Sequence, residues 1–577
     1  METLKTDVLV IGSEGAGARA AIEASDRGAE VTMVTKGRLG RHGATVMAAA
    51  DIAVDSHSLS LLLGQGNPQD SPKAFLEDMV IEGKWLNNQY LARLVTEEVP
   101  DRTRELLDWG LKYTEVRQMP GHRFPRNLYT SGTEMIRTLG RQVRQRKIRI
   151  LEDVYIHTLI TQEGEVVGAM GLDLRQGKPI VLSAKAVVLA TGGCHSVYSY
   201  TTGPEGLTGD GHAMAYSAGA ELTNMEMVQF IPTTPLEPVM ARGSLFPFLL
   251  GPQNALRLWL LNKHGERFMN RWDPQRMEHS TRDVLSLAIM TEILEGRGGP
   301  QGGVYYSLAH LPKNLVADFA RWGGKPYLKE NWHVHGLDFT PVIEKLMRGD
   351  AIEVVPAVHF FMGGIKVNER CETTVPGLYA AGEIVGDIHG ANRLSGAAFS
   401  HMLVLGQLAG HFAARRVRDL TVLPEPEPEQ VSTSEESLLR PIRAQGTVNA
   451  YEVKRELQNI AWRRAGVVRE GESLKTALAD IDRINRGTLT DMASRAKAAP
   501  YNLEWLECLQ VENMTLILEM ITRSSLLRQE SRGAHFRKDF PEMDNQQWLS
   551  NTVIRKTGES MVVTKEPVAM PFVKPVT

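Results

Sequence analysis

Apolar positions change period several times along the chain, and each change predicts an element. Asp7–Ile11 (DVLVI) is a short β-branched run followed by GSEGAGARAAIEAS, whose alanines recur at helical spacing. Glu30–Thr35 (EVTMVT) is a second strand, so a strand, a glycine turn, a helix and a strand fall within one short segment. Ala186–Thr191 (AVVLAT) has the continuous apolar character of a buried strand and runs into Gly192-Gly193. In LTGDGHAMAYSAGAEL, Ala213, Met214, Ala218 and Ala220 sit at helix-packing spacings, with Asp210 and Gly211 at the helix start. Gly377–Gly396 (GLYAAGEIVGDIHGANRLSG) again reads as strand, glycine turn and polar loop. Leu423–Ser437 is rich in Pro and Glu and predicts a linker, 438–545 is helical with Leu516, Leu518, Met520 and Ile521 on its apolar positions, and 546–577 carries no strong pattern and is expected to be a tail. No internal repeat is visible. The fold class expected is α/β.

Composition narrows the function. The chain has 577 residues, 42% apolar and 23% charged, enough for several domains with sizeable cores. A net charge of −3 gives no electrostatic footprint for nucleic acid or an anionic membrane. No run approaches the ~18 apolar residues of a membrane span, and the best candidate, Leu245–Leu250, is broken by Pro247. METLKTDVLVIG leads straight into a strand with no secretory or twin-Arg pattern, which predicts a cytoplasmic protein. The three cysteines, Cys194, Cys371 and Cys508, are far apart and form no CxxC pair. A disulfide framework and an iron–sulfur cluster held by this chain are therefore not expected, and redox work needs another cofactor.

The first βαβ unit is a dinucleotide site: a helix N-terminus presents free N–H groups and positive dipole to a pyrophosphate. Its glycines are Gly12, Gly15 and Gly17, and Glu14 stands where a second glycine normally lets phosphate approach. A carboxylate there repels a pyrophosphate, so Glu14 is expected to turn outward. The second strand ends in Thr35-Lys36-Gly37 and lacks the acid of many NAD sites. Three glycine turns so far apart suit a long cofactor threaded through one nucleotide-binding domain that is interrupted by an insertion.

VLVIGSEGAGARAAIEA, AKAVVLATGG, TGDGHAMAYSAGAEL, NMEMVQFIPT, LLNKHGERFM, STRDVLS, PAVHFFMGGI, GLYAAGEIVGDIHGANRL and RQESRGAHFRKDFPEMD, in this order, resemble the flavoprotein subunits of the succinate dehydrogenase/fumarate reductase family, whose relatives include L-aspartate oxidase and adenylylsulfate reductase. The resemblance covers nearly the whole chain. It implies a Rossmann-like FAD-binding domain (1–232 and 352–422), an inserted α+β capping domain (233–351) and a C-terminal helical domain. By the same resemblance Gly12, Gly15, Ala16 and Gly17 face the pyrophosphate, Lys36 ends strand two, and Gly43, Ala44 and Thr45 pass the isoalloxazine ring. Gly192, Gly193, Asp210, Glu383 and Ser395 complete the expected cofactor set. Covalent members carry a histidine about where Ala44 stands, and His42 lies two residues upstream, so the FAD is expected to be non-covalent.

Hydride exchange with a carboxylic acid needs a cation for the carboxylate, a proton donor opposite the hydride, and exclusion of water. The resemblance assigns Arg393 as the carboxylate clamp, His359 as its partner and Arg282 as the proton shuttle. Three departures matter: Ile231 replaces a family histidine, and Leu250, Gly251 and Asn254 fall where the family has a Thr-Glu pair and an arginine. Either Arg242, Gln253 or Arg257 replaces these groups, or the far end of the substrate is not a carboxylate and meets Ile231, Phe246 and Trp259. Without a cluster of its own the chain is expected to pair with an iron–sulfur subunit. Three readings remain open: a succinate dehydrogenase/fumarate reductase-type protein, an aspartate oxidase-like enzyme for another substrate, and a non-catalytic electron-transfer flavoprotein.

Overall fold

A computed structural model describes residues 2–48, 51–244, 258–316, 340–420, 422, 423 and 425–575. β1 (Glu2–Ile11), α1 (Gly15–Asp26) and β2 (Val31–Thr35) form the expected unit, with Val8–Ile11 parallel to Val31–Val34. β3 (Arg149–Glu152) extends the sheet beyond β2, and β4 (Val154–Gln162), β5 (Glu165–Asp173) and β6 (Lys178–Leu189) complete it in the order β3-β2-β1-β6-β5-β4. Val8, Leu9 and Val10 have no exposed surface, as expected of a central parallel strand covered on both faces. The short α2 (Asp210–Ser217) follows.

A second, antiparallel sheet comes next. β7 (Val228–Pro235), β8 (Trp259–Leu261), β9 (Val304–Ser307) and β10 (Ile352–Phe361) pair in the order β7-β10-β9-β8, and α3 (Arg282–Leu294) packs on β7. This sheet straddles positions 232 and 352, where the insertion was expected to begin and end. Its strands β7 and β10 pair directly with each other and hold β8 and β9 in the same sheet. The chain then returns to the first sheet. β11 (Leu378–Ala380) lies parallel to the end of β6, and α4 (Ala397–Asp419) lies along α1. Close approach explains two glycines of α4: a Cβ at Gly406 or Gly410 would sit 2.8 or 2.2 Å from the carbonyl oxygens of Ala16 and Ala20.

Two expectations are corrected. Most of the expected linker is helix: α5 (Pro428–Arg443) starts at Pro428 and buries Leu438 and Leu439 against Trp505 and Leu509. Its polar residues are the solvent face of an amphipathic helix, so low apolar content did not mean lack of structure. α6 (Ala450–Arg464), α7 (Gly471–Arg483) and α8 (Leu503–Leu527) follow, and the Trp505 indole donates to the Leu438 carbonyl at 2.8 Å. The expected tail is also ordered. β12 (Ser550–Thr557) and β13 (Ser560–Pro567) form a hairpin closed at Gly558, and β12 pairs with Leu222 and Thr223. Phe572 and Val573 donate their N–H groups to Gln89.

A buried ionic cluster welds this C-terminal part to the rest. The Arg528 guanidinium donates to Glu226 at 2.7 Å and to Glu530 at 2.8 Å, and Arg532 reaches Glu530 at 2.7 Å, with all four side chains fully buried. Thr552 donates to the second Glu226 oxygen at 2.7 Å. Removing one partner of such a cluster leaves a buried charge uncompensated, at a cost of about 3–5 kcal/mol. Glu226→Gln is expected to lower unfolding stability by that order in urea titrations; a variant that unfolds at the wild-type midpoint would show the cluster to be energetically neutral.

Candidate active site

One cavity of about 1420 Å³ runs from the first glycine turn to the second sheet. Of the residues expected from sequence, Gly12, Gly15, Ala16, Lys36, Gly43, Ala44, Thr45, Gly192, Asp210, Glu383, Ser395, Arg282, His359 and Arg393 line it. Gly17 and Gly193 do not. A Cβ at Gly17 would lie 1.9 Å from the Gly12 carbonyl, and one at Gly193 would meet Glu383 at 2.7 Å. Both are small because protein packs against them.

The cofactor end follows from local backbone. Glu14, the N-cap residue of α1, does not cap it with its own side chain; the Gly15 N–H donates to the Thr45 hydroxyl at 3.2 Å, and Gly15 and Ala16 line the cavity. Gly12 and Gly192 have φ of 112° and 78°, which an L side chain rarely adopts. An uncapped helix N-terminus fits a pyrophosphate. Glu14 does not turn outward as expected. Its side chain folds under Gly43 and accepts the Val46 N–H at 3.1 Å, drawn by the start of the short helix Ala44–Met47. Burial pushes its carboxyl up to about 8, against the hydrogen bonds from Val46 and Thr45. A mostly protonated Glu14 removes the repulsion that the sequence implied.

Farther along, Lys36 at the end of β2 pairs with Asp210 at 2.7 Å. The His42 ring lies against Gly37 and Gly206 near Lys36. Ala44 has no nucleophile. Glu383, after Gly382, accepts from His195 at 2.7 Å and from the Phe361 N–H at 2.9 Å through the same oxygen. Burial alone would raise its carboxyl, but His195, the Phe361 N–H and Arg393 outweigh this and hold it below the ordinary value.

The chemical end is assembled from three segments. Arg282 is the first residue of α3, Arg393 lies in the loop before α4, and His359 is on β10. Gln229 pairs with Phe360 and Phe230 with Val358, which makes His359 the extra residue of a β-bulge. The bulge re-aims its ring into the cavity, where Nδ1 lies 2.9 Å from the Thr202 hydroxyl. Burial, Arg393 and Arg282 keep His359 neutral, its pKa well below normal. Arg393 donates to Gln229 at 3.2 Å and its guanidinium lies 4.8 Å from the centre of the Phe360 ring. Burial and the neighbouring Arg282 lower its pKa to about 9. Asp51 and Glu383 act on Arg393 in the opposite sense and partly restore it.

Of the residues named for the far end of the substrate, Ile231 and Arg242 line the cavity. Trp259 instead stacks on His310, with ring centres 4.1 Å apart. Phe246, Leu250, Gly251, Gln253, Asn254 and Arg257 lie outside the described residues. Sequence reasoning missed Asp51, Glu82 and Lys84, which also line the cavity. Nothing in their local sequence sets them apart from surface charges.

Residues 7–398 match the family described as FAD binding domain, and 454–577 match the one described as fumarate reductase flavoprotein C-term. A fumarate reductase (CoM/CoB) subunit of Methanothermobacter marburgensis is 35% identical, with 97% of this chain and 99% of that protein covered. The chain belongs to the fumarate reductase/succinate dehydrogenase flavoprotein family. The fumarate reductase flavoprotein subunit of Mycobacterium tuberculosis is 29% identical, with 96% of each chain covered. The structure of Mycobacterium smegmatis Sdh1 in complex with UQ1 superposes with a TM-score of 0.88 at 33% identity, covering 100% of this chain and 96% of that one. As a member of this flavoprotein family the chain is an FAD-dependent oxidoreductase. No helix among the described residues is long and apolar enough to cross a membrane.

The raised Glu14 carboxyl sets a pH dependence. With this carboxyl raised to about 8, ionisation above that pH puts a negative charge beside the turn proposed to hold a pyrophosphate. FAD affinity of the wild type is therefore expected to fall as pH rises through about 8, whereas Glu14→Gln, which keeps the acceptor for Val46, binds FAD with a flat profile. Equilibrium titrations on either side of that pH check this; parallel profiles for the two proteins would refute it.

Proposed function

We propose that this flavoprotein subunit moves a hydride between flavin N5 and a carbon next to a substrate carboxylate, with Arg393 and His359 holding that carboxylate and Arg282 exchanging the proton on the neighbouring carbon. The observation that supports this reading is that these three side chains line the same cavity as the glycine turns expected to hold the cofactor. FAD supplies the two-electron chemistry, and Gly12, Gly15, Ala16, Lys36, Gly43, Thr45, Gly192, Asp210, Glu383 and Ser395 hold it without a covalent bond, since Ala44 offers none. The Arg393 fork matches a carboxylate in a bidentate way, and the neutral His359 adds directional hydrogen bonding without further charge. Arg282 lines the same cavity as Arg393 and is the group that carries the exchangeable proton. Ile231 of the second sheet and Arg282 of α3 contribute to the lining of the cavity.

Arg242 supports a dicarboxylate substrate such as fumarate. It lies on the cavity wall, and a Cβ on its neighbour Gly243 would sit 2.2 Å from the Thr201 carbonyl, one residue from the Thr202 that meets His359. Ile231 on the same wall supports a second reading, a monocarboxylate with an apolar far end. With its three cysteines each buried and free, the chain passes electrons to a separate iron–sulfur protein, on the cytoplasmic side.

Purified protein assayed with a reduced dye, fumarate and crotonate tests these points. Arg282→Lys is expected to lose about 10²–10⁴-fold in kcat while retaining FAD. Unchanged turnover in that variant would sink the proposed chemistry. Arg242→Gln is expected to raise KM for fumarate about tenfold, the loss of one exposed-to-substrate ion pair, and leave crotonate unaffected; a wild type that turns over crotonate alone decides for the apolar end.

A further inference from the structure

The proton that Arg282 gives up must be replaced, and the structure offers a carboxyl for this in the cavity lining. Glu82 is the last residue of the helix Pro72–Glu82 and is only partly covered, so it is within reach of water. Its Oε1 accepts the Asn392 amide at 2.6 Å. Asn392 in turn accepts from Gln229 at 2.9 Å, and Gln229 accepts from Arg393 at 3.2 Å. The carboxyl is thus oriented by the same network that positions the clamp.

The backbone here is also constrained. Lys84 and Trp85, the second and third residues beyond Glu82, have φ of 52° and 60°, a left-handed pair without glycine. Such strain persists only where surroundings enforce it. Here Arg532 donates to the Lys84 carbonyl at 3.0 Å and the Ala391 N–H to the Gly83 carbonyl at 2.8 Å. Glu82 is therefore fixed from the loop that carries Arg393 and from the C-terminal part at once.

The charged groups that act on it are Lys84 from its own loop and Asp283 and Arg282 from the start of α3. Burial pushes its carboxyl above the ordinary value, Lys84 and Arg282 draw it back, and Asp283 adds to the rise. It is thus a carboxyl that keeps a proton longer than a surface glutamate and lines the same cavity as Arg282.

We propose that Glu82 is the proton-relay residue that recharges Arg282 from solvent. This rests on the reading of Arg282 given above. In the reductive direction the substrate double bond gains a hydride with its electron pair from the cofactor on one carbon and an N–H proton from Arg282 on the other. The neutral guanidine then takes the carboxyl proton of Glu82, and the Glu82 carboxylate takes a proton from water at the cavity mouth. In the oxidative direction each transfer reverses.

Glu82→Gln keeps the acceptor for Asn392 but carries no exchangeable acid proton. In the FAD-loaded protein it is expected to lower kcat about 10–100-fold with KM and FAD content unchanged, to remove the limb of the kcat–pH profile that belongs to this carboxyl, and to raise the solvent deuterium isotope effect. Glu82→Asp is expected to recover part of the rate. Apart from turnover, the wild type is expected to lose thermal stability relative to Glu82→Gln as pH rises above the ordinary glutamate range, because its raised carboxyl must ionise. Arg282→Lys is measured beside them. If it abolishes turnover while Glu82→Gln retains wild-type kcat and pH profile, the relay is overturned and the chemistry of Arg282 stands. If Arg282→Lys turns over normally, the underlying reading has failed instead. Loss of rate in Asp51→Asn with none in Glu82→Gln would likewise overturn the proposal, by placing the proton route at another carboxyl of the cavity.

Discussion

Two guanidinium groups, Arg282 and Arg393, line one cavity, and much of the site is arranged around that repulsion. Burial lowers the proton affinity of Arg393, and the neighbouring Arg282 lowers it further. Nothing on a single element would hold them there. Arg282 is fixed by the start of α3, Arg393 by the loop entering α4 and by Gln229 of β7. Asp51 and Glu383 partly offset the charge on Arg393. The remaining positive potential is specific for an anion, and because His359 stays neutral, the pocket favours one carboxylate here over a cluster of anions.

The cofactor cradle works by a different logic. Its glycines are constrained from behind, by backbone, by Met402 or by neighbouring side chains, as much as by any ligand in front. Gly12 has room for no Cβ because the Ala190 carbonyl is 2.2 Å from where one would be. The turn is thus rigid before FAD arrives, and little conformational entropy remains to be lost on binding. Glu14 fits this picture: the charge that looked hostile to a pyrophosphate is held by the neighbouring loop and kept mostly protonated.

Legibility followed the range of the interactions involved. β1, α1 and β2 could be read because their hydrophobic period and glycine spacing are local. Arg282, His359 and Arg393 were recognisable as members of motifs, yet their convergence depends on a sheet that joins residues distant in sequence. The re-aiming of His359 by a bulge had no signal in PAVHFFMGG, since a bulge is a property of two paired strands. α5 was missed because most of its residues face water, and the hairpin at Gly558 because its partner strand, Leu222–Thr223, is so short. Asp51 and Glu82 look like surface charges in one dimension and become pocket residues only through the fold.

The pairing of β12 with Leu222 and Thr223 has a temporal meaning. A ribosome makes the glycine turn of α1 first and the hairpin near the end. Until then Glu226 is a charge without its Arg528, and the edge beside Leu222 stands open. The contacts that Leu222, Thr223 and Glu226 make with residues 528–554 can therefore form only after that last part of the chain has emerged.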